Sequence, residues 1–291
     1  MTIKELKEKA SNYGLITHDG IFHADDVFST ALIQLLIDDN TIYPKRLGIM
    51  NIPGNFEGII YDIGGGEFDH HKDDSLNRYY PDLNDGRGTI KLCSFGLLWD
   101  AFAEEAYDSD IKSRVLDFVK DIDEYDSRGY NLMQSSASSI SRIISCYNMA
   151  WDDESESSDE AFNEAVDIAR SILKHKIDNA LATSRLKDCF YKTPIENRMK
   201  IFDRSGQWNM FYERGCAIIV SPSTRKDGWI IRPVIRSFLL PKTWVEKTQP
   251  YGCLYIDPNR SFARFNSKEN AIKAATEFVN MVSNIYSLFQ K

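Results

Sequence analysis

Residues 59–71 read Ile59-Ile60-Tyr61-Asp62-Ile63-Gly64-Gly65-Gly66-Glu67-Phe68-Asp69-His70-His71. The apolar start of this stretch is typical of a short buried strand that ends at Asp62. The three glycines that follow allow positive φ angles and a close approach of the backbone to other groups. Asp69, His70 and His71 then bring one carboxylate and two imidazoles together just beyond the turn. The stretch therefore predicts a strand whose end carries a cluster of chemically active side chains.

A second stretch of similar chemistry lies nearer the N-terminus and reads Thr17-His18-Asp19-Gly20-Ile21-Phe22-His23-Ala24-Asp25-Asp26. The chain has five histidines, and these two stretches hold four of them beside aspartates. Imidazole nitrogen and carboxylate oxygen together suit divalent ions such as manganese, iron, cobalt or zinc. Phosphate chemistry often uses two such ions, roughly 3.5–4 Å apart. We therefore predict a two-metal centre; the alternative is that these histidines only cap helices or fill gaps in loops.

Length and composition limit the class of protein. The chain of 291 residues is long enough for one or two domains. It contains no apolar run that could cross a bilayer, and its charged N-terminus lacks the apolar core of a signal peptide. The five cysteines are far apart and include no CxxC pair, which favours reduced thiols and argues against a cysteine zinc site. These features predict a cytoplasmic protein without a membrane partner.

The charge distribution bears on the partner. A net charge of −8 argues against a general attraction to polyanions. The charge is uneven, because residues 151–167 carry acids only, whereas basic residues dominate 170–204. Such runs are usually solvated helix faces, but the basic run also suits a local groove for a phosphodiester chain. The pattern leaves open a nucleic-acid partner, such as RNA or an oligonucleotide, and a small phosphate substrate.

The order of the predicted elements is that of an α/β protein. Strands are predicted at 14–17, 41–44 and 59–62, and a helix with 3.6-residue periodicity has Asp25 and Asp26 in its first turn. Either carboxylate alone is explained by the helix dipole, which favours acids at that end. In sheets of this kind ligands bind at the carboxyl edge, where His18 and Asp62 are placed.

A third source of acidic ligands is predicted at the end of a helix over 111–122, where the sequence reads Asp121-Ile122-Asp123-Glu124-Tyr125-Asp126. Acids at a helix C-terminus are unfavourable to the dipole, and a bound cation would offset that. A solvated acidic helix end explains the same residues equally well. The choice between Asp123 and Asp126 as the ligand stays open at this point.

The rest of the chain divides into helices and then strands. Helices are predicted at 89–106, from about 140 after a run of serines, and at 160–187. The final third has strand patterns at 216–220, 229–234, 254–256 and 262–265, and a closing amphipathic helix at 271–289. We therefore expect a metal-binding domain over 1–189 and a smaller α+β domain over 190–291.

The motifs THxGxFHxDD, YDxGG and FDHH resemble those of the melanocyte-proliferating-gene (Myg) family. That family belongs to the DHH phosphoesterase superfamily, with RecJ-type exonucleases and manganese pyrophosphatases. The similarity covers nearly the whole chain. The two histidine motifs are specific, and the supporting segments are 120–126, 138–142, 148–151 and 236–244.

The resemblance implies a DHH-type parallel-sheet domain, a smaller C-terminal capping domain and a two-metal hydrolase of phosphodiesters. For some family members it implies a 3′–5′ RNA exonuclease. The ions would be two Mn²⁺, with Mg²⁺, Co²⁺ or Zn²⁺ as alternatives. Carried over by position, the implied ligands are His18, His23, Asp25, Asp62 as the bridging carboxylate, His70 and Asp123. Asp69 would orient an imidazole, and His71 would contact the substrate phosphate.

Substrate recognition is the least determined part of the resemblance. Lys72 and Arg142 are expected to stabilise developing charge, and Arg236 to bind substrate. Lys72 replaces the family's usual glutamine, and Asp126-Ser127-Arg128-Gly129 replaces its usual Asp-Asn-Gly. A hydrolase of small phosphate compounds and a non-enzymatic metal-bound scaffold are the alternative functions. The sequence also leaves the oligomeric state open, a homo-oligomer included.

Overall fold

A computed structural model of the protein describes residues 1–81, 88–128, 139–150, 158–234, 239–240 and 252–289. The chain forms two compact units, Met1–Leu181 and Ala182–Lys291. The division falls inside a long helix, whereas the sequence placed the end of the first domain at residue 189. Each unit has its own sheet and its own core, and each is described separately.

The first unit has helices around a parallel sheet. Its helices are α1 Ile3–Tyr13, α2 Ala24–Ile37, α3 Ser94–Ala106, α4 Ser109–Arg128, α5 Ile140–Ser145 and α6 Ser158–Lys192, which continues into the second unit. Its strands are β1 Leu15–His18, β2 Lys45–Leu47 and β3 Ile59–Ile60, in the order β2-β1-β3. Both strand pairs are parallel, which confirms the predicted α/β class.

The parallel pairing of β1 with β3 positions the two motifs. Ile16 lies opposite Ile60, so that both strands end at the same edge of the sheet. His18 is the last residue of β1, and Asp62 follows β3 by two residues. Side chains delivered by adjacent parallel strands meet at their carboxyl edge, where α/β proteins bind ligands.

Several predicted elements differ from the structure, among them the helix expected at 89–106, which begins at Ser94. The strand expected at 41–44 lies instead at Lys45–Leu47, because Pro44 has no N–H to donate to a strand ladder and pairing begins after it. The helix expected at 111–122 continues to Arg128. Its added turn is held by an ion pair between Arg128 and Glu124 at 2.7 Å, so the acidic cluster lies within the helix and not beyond its end.

Helix α2 is central to the first unit. Almost all of its residues are buried, and it contacts α1, α3, α4 and α5. A helix that is apolar on all sides is one that is enclosed by other elements. Phe28 of α2 packs against Phe95 and Phe118, with ring centroids 5.5 Å and 5.4 Å away.

Among the described helices, none combines the length and apolar character needed to span a bilayer.

The second unit is built on a mixed sheet. Its strands are β4 Met199–Ile201, β5 Ile218–Pro222, β6 Trp229–Pro233, β7 Cys253–Ile256 and β8 Ala263–Phe265, and its closing helix is α7 Lys268–Phe289. The strand order is β4-β5-β6-β8-β7, with only β4 and β5 parallel. The helix α7 packs against this sheet through apolar residues such as Ala271 and Phe278. The sequence patterns predicted four of these strands and missed β4.

Close packing of α3 against α4 depends on Gly96. Its N–H donates to Asp123 Oδ1 at 3.2 Å. A Cβ at this position would lie 2.5 Å from Tyr80 Oη and closer still to the Asp123 carboxylate. Both neighbours are buried, so neither can move aside freely.

We therefore expect Gly96→Ala to destabilise the protein. Alanine would gain about 1 kcal/mol of helix propensity, but the overlap should cost more, for a net loss of about 1–3 kcal/mol. Urea unfolding would measure it. Gly54→Ala is the control, since a Cβ added to Gly54 would have no atom within 4 Å. Equal stability of the two variants would contradict the packing argument.

Candidate metal centre

The turn after β3 brings Asp62 and the two adjacent histidines together. Asp62 has a φ of 59°, which is unusual for a residue other than glycine and is typical of functional sites. Its N–H donates to the carbonyl of Phe68 at 3.1 Å. Gly64 and Gly65 have φ angles of 83° and 71°, which turn the chain back on itself. Gly64 and Gly65 thus adopt the positive φ angles that the sequence allowed.

The Asp62 carboxylate lies between the histidines of the two motifs. Its Oδ2 is 3.3 Å from His18 Nε2, and its Oδ1 is 3.3 Å from His70 Nδ1. Ser94, at the start of α3, donates its hydroxyl to Asp62 Oδ1 at 3.1 Å. Asp62 is buried, so the position of its carboxylate is fixed from several sides. Asp62 therefore contacts one histidine from each of the two motifs.

His18 is oriented for coordination. Its Nδ1 lies 2.8 Å from the backbone carbonyl of Asp19, which can only accept a hydrogen bond. The proton is therefore on Nδ1, and Nε2 is directed toward Asp26 and Asp62. A backbone partner on one ring nitrogen is the usual way in which a ligating histidine is held.

The N-terminus of α2 adds two buried carboxylates. Asp26 Oδ1 accepts from the N–H of His23 at 3.0 Å and caps the helix, while its Oδ2 lies 3.1 Å from His18 Nε2. Asp25 Oδ2 lies 3.7 Å from His70 Nδ1. Asp25 thus faces one side of the cluster, and Asp26 faces the other.

The third carboxylate comes from the added turn of α4. Asp126 Oδ2 is 3.1 Å from His70 Nε2, and its Oδ1 is 3.6 Å from His23 Nδ1. Asp123, one turn earlier, accepts from the Tyr80 hydroxyl at 2.6 Å and from a backbone N–H of α3. Burial raises the pKa of Asp123 to about 8. The structure therefore brings Asp126 to the cluster and engages Asp123 in packing.

Three overlapping groups of ligand atoms result, each with all its atoms within 4.8 Å of one another. The groups are Asp25, His70, Cys93 and Asp126; Asp62, Asp69, His70 and His71; and His18, Asp26 and Asp62. Asp62 and His70 each belong to two groups, which link them into one cluster. Buried Asp and His clusters of this composition could hold metal ions.

Unsatisfied polar atoms give an independent test of that fit. Buried polar groups in folded proteins are nearly always hydrogen-bonded. Several buried atoms of this cluster lack such a partner: both Asp25 oxygens, Asp26 Oδ2, Asp62 Oδ2 and His70 Nδ1. They belong to all three groups. A cation is the partner that would satisfy carboxylate oxygens and an unprotonated imidazole nitrogen together.

The electrostatics of the cluster agree with this interpretation. Burial raises the pKa of Asp25 well above its usual value, and the nearby charges of Asp126 and Asp62 raise it further. Burial favours the neutral ring of His18, but the nearby carboxylates of Asp26 and Asp62 outweigh this and raise its pKa to about 11. Both shifts reflect an excess of negative charge that positive charge at the site would relieve.

Asp69 holds His71 in place. Its Oδ1 accepts from the His71 backbone N–H at 2.9 Å and from His71 Nδ1 at 3.0 Å, and its Oδ2 accepts from Gly65. Burial opposes ionisation of Asp69, but these hydrogen bonds outweigh it and lower its pKa to about 2. The bond to Asp69 in turn raises the pKa of His71.

A pocket of about 470 Å³ opens over the cluster. Its polar lining is formed by His18, His23, Asp62, Asp69 and His71, and its apolar lining includes Ile21, Ile49 and Ile63. The volume is in the range of small-molecule sites, which is roughly 300–1,000 Å³. The pocket thus combines convergent polar groups with an apolar wall.

Residues from distant parts of the chain hold the loop that carries His18 and His23. Asn148 accepts from the N–H of Phe22 at 2.9 Å and donates to its carbonyl at 2.8 Å. Arg46 donates to the carbonyl of Gly20, and its guanidinium lies over the rings of Phe22 and Phe162. These contacts hold the segment that carries His18 and His23.

None of the residues expected to bind substrate is among the described residues that line the pocket. Lys72 follows His71 and is half-buried, and Arg142 lies in α5, but neither lines the pocket. Arg236 lies outside the described residues. The structure also adds residues that sequence reasoning did not name as ligands or supports, namely Asp26, Cys93 and Ser94. No signal in the sequence pointed to Cys93 and Ser94, because the helix that begins at Ser94 was predicted to begin at residue 89.

Comparison with known families adds an independent observation. The family model MYG1_exonuc, described as an uncharacterised protein family (UPF0160), matches residues 14–218. The chain belongs to this family. The matched region contains every member of the three ligand groups. Membership of the wider DHH superfamily stays a prediction.

Other comparisons are distant. Among solved structures, the pGpG-specific phosphodiesterase PggH of Vibrio cholerae aligns over 93% of this chain and 98% of its own. The identity is 12% and the TM-score is 0.32, so this likeness carries no argument. No curated protein matches the chain significantly.

Asp123 and Asp126 of α4 provide a direct test of the cluster. Asp126→Asn should weaken manganese binding at least about 10- to 100-fold, because loss of an outer support alone commonly costs that much. Asp123→Asn is the matched control and should retain metal affinity, since its carboxylate bonds to Tyr80 and Gly96. Isothermal titration of the metal-free proteins would measure both. The opposite ranking would return Asp123 to the ligand set.

Proposed function

We propose that the protein is a two-metal phosphoesterase, acting as a 3′–5′ exonuclease on RNA or short oligonucleotides. The observation that carries this proposal is the cluster of three ligand groups joined through Asp62 and His70, with its unsatisfied buried atoms beneath an open pocket. The family's name, which refers to an exonuclease, supports the same chemistry. We also propose a cytoplasmic location, which the free state of all five cysteines supports.

Two divalent ions are proposed, Mn²⁺ first, with Mg²⁺, Co²⁺ and Zn²⁺ as alternatives. His18, Asp26 and Asp62 would hold one ion, and Asp25, His70 and Asp126 the other. In this assignment Asp126 takes the place that the family resemblance gave to Asp123, and His23 supports the cluster through Asp126. When bound, such ions activate water and neutralise phosphate charge.

His71 is the chain's own candidate for contact with the phosphate. Its side chain is 59% exposed at the pocket, whereas that of His70 is 5% exposed. Asp69 engages its Nδ1, which leaves Nε2 for a substrate oxygen. The raised pKa of His71 favours the charged ring, which can donate to the phosphate and stabilise the charge that develops there. Asp69 therefore acts through His71 and not on the substrate itself.

The size of the substrate follows from the pocket and the charge. A pocket of about 470 Å³ has room for only a small part of a nucleic-acid chain at a time. A chain with a net charge of −8 also lacks the excess cations that bind long nucleic acids. Both observations favour short oligonucleotides. They also keep a hydrolase of small phosphate compounds as the second candidate.

A substrate panel tests the proposed activity. Manganese-loaded protein should shorten labelled RNA from its 3′ end, and chelation should abolish this. Asp62→Asn should be nearly inactive, because the shared carboxylate has no substitute in the cluster. The same panel should contain DNA, dinucleotides and pyrophosphate. Cleavage of pyrophosphate alone would select the second candidate, and no cleavage of any substrate would leave the metal-bound scaffold.

The adjacent histidines should behave differently. His70→Ala should lower both metal content and rate, because His70 belongs to two ligand groups. His71→Ala should keep the metal and lower the turnover rate about 10²- to 10³-fold, the usual effect of losing a donor that stabilises developing charge. Metal analysis and steady-state kinetics of both variants would separate the roles. Loss of metal from His71→Ala would make His71 a ligand.

A further inference from the structure

The sheet of the second unit has two chemically different faces. Ile231 of β6 and Ala263 of β8 are paired, fully buried and part of the core that α7 covers. Successive side chains on a strand point to opposite faces. Their neighbours Arg232 and Arg264 therefore lie on the other face of the sheet.

On that face the strand register brings basic and aromatic side chains together. Arg264 lies opposite Tyr255 of β7. A pocket of about 330 Å³ is formed there, and its lining includes Arg225, Arg232, Arg264, Tyr255 and Phe262. All of these residues belong to the second unit, so the pocket is formed without the metal centre.

The arginines of this pocket are only partly neutralised. Arg264 pairs with Asp227, and its buried Nε has no hydrogen-bond partner among the described residues. Arg232 is half-buried, and the loss of solvent lowers its pKa although the charge of Asp257 opposes the change. With Arg225, the described residues at this pocket supply three cations and two carboxylates, so a positive charge remains among them. Burying cations is unfavourable unless an anion compensates them.

The aromatic residues give the pocket planar surfaces. The Arg232 guanidinium lies 5.3 Å from the centre of the Phe262 ring, and that of Arg264 lies 5.7 Å from the centre of Tyr255. The two rings are themselves 5.7 Å apart. Arginine forks match the oxygens of a phosphate, and aromatic faces stack on nucleobases.

We propose that this pocket binds a 5′-phosphate and the base attached to it, in a free nucleoside monophosphate or at the end of an oligonucleotide. The arginines would hold the phosphate oxygens, and Tyr255 or Phe262 would stack on the base. The pocket is at the small end of the ligand-site range, roughly 300–1,000 Å³, which suits one nucleotide unit. The proposal does not depend on the metal centre or on hydrolysis.

Equilibrium binding to the full chain tests it. The metal is removed with EDTA, so that a failure of the hydrolase proposal would not affect the result. The probes are adenosine 5′-monophosphate, adenosine, inorganic phosphate and the dinucleotides pApA and ApA. We expect the monophosphate to bind at least about tenfold more tightly than adenosine, because adenosine lacks the charged hydrogen bonds to the arginines. We expect a similar advantage over inorganic phosphate, because inorganic phosphate has no base to stack on the aromatic rings.

Single variants locate the binding. Arg232→Gln should weaken binding of the monophosphate about 10- to 100-fold, and Phe262→Leu should reduce the advantage of the monophosphate over inorganic phosphate. Arg204→Gln is the matched control, because Arg204 also lies over an aromatic ring, that of Trp208 at 6.0 Å, but outside the pocket. It should change the affinity less than twofold, and circular dichroism would confirm that each variant is folded.

Each result decides a part of the proposal. Tighter binding of pApA than of the monophosphate would identify an oligonucleotide end as the source, and equal binding would identify the free nucleotide. Equal affinity for monophosphate and adenosine would overturn the phosphate site. Equal affinity for monophosphate and inorganic phosphate would overturn the base site. Unchanged binding by folded Arg232→Gln would place any nucleotide site elsewhere and overturn the proposal.

Discussion

The mutual repulsion of buried carboxylates is the constraint on which the first unit depends. The buried acids Asp25, Asp26 and Asp62 and the partly buried Asp126 converge on two histidines. A carboxylate is costly to bury unless opposite charge and hydrogen bonds compensate it. The fold brings the acids together nevertheless, and their partners among the described residues include imidazoles, a serine and backbone N–H groups. Such an arrangement is explained by a function and not by stability.

The scaffold that holds these groups is of an ordinary kind. Parallel pairing of β1 and β3 puts His18 and Asp62 at one edge, and the enclosed helix α2 presents Asp25 and Asp26 from its N-terminus. The added turn of α4 completes the cluster with Asp126. The ligands thus come from the ends of strands and from helices that pack tightly on one another. Groups held on rigid elements keep their geometry better than groups held on loops.

Sequence reasoning recovered the α/β class, most of the elements and the two stretches that supply the histidines. It did so because strand and helix periodicities are strong local signals, and because clustered histidines are rare. It could not choose between Asp123 and Asp126, since both lie on one face of a helix whose true end was not visible in the pattern. Ser94 and Cys93 were also beyond its reach, because their proximity to the cluster comes from the packing of α3 and not from spacing along the chain. The same holds for Arg264, whose neighbours depend on strand register.

The contacts that hold the His18 loop have a consequence for the lifetime of the protein in a cell. Asn148 and Arg46 tie the His18 loop to segments far away in sequence, so the cluster forms only when much of the first unit is folded. A ligand that binds only the folded state stabilises it by mass action, by about 2.7 kcal/mol at a hundred times its dissociation constant. If metal ions fill this cluster, their free concentration would set how often the unit unfolds. Metal scarcity would then shorten the protein's lifetime by exposing it to proteases, in addition to stopping its chemistry.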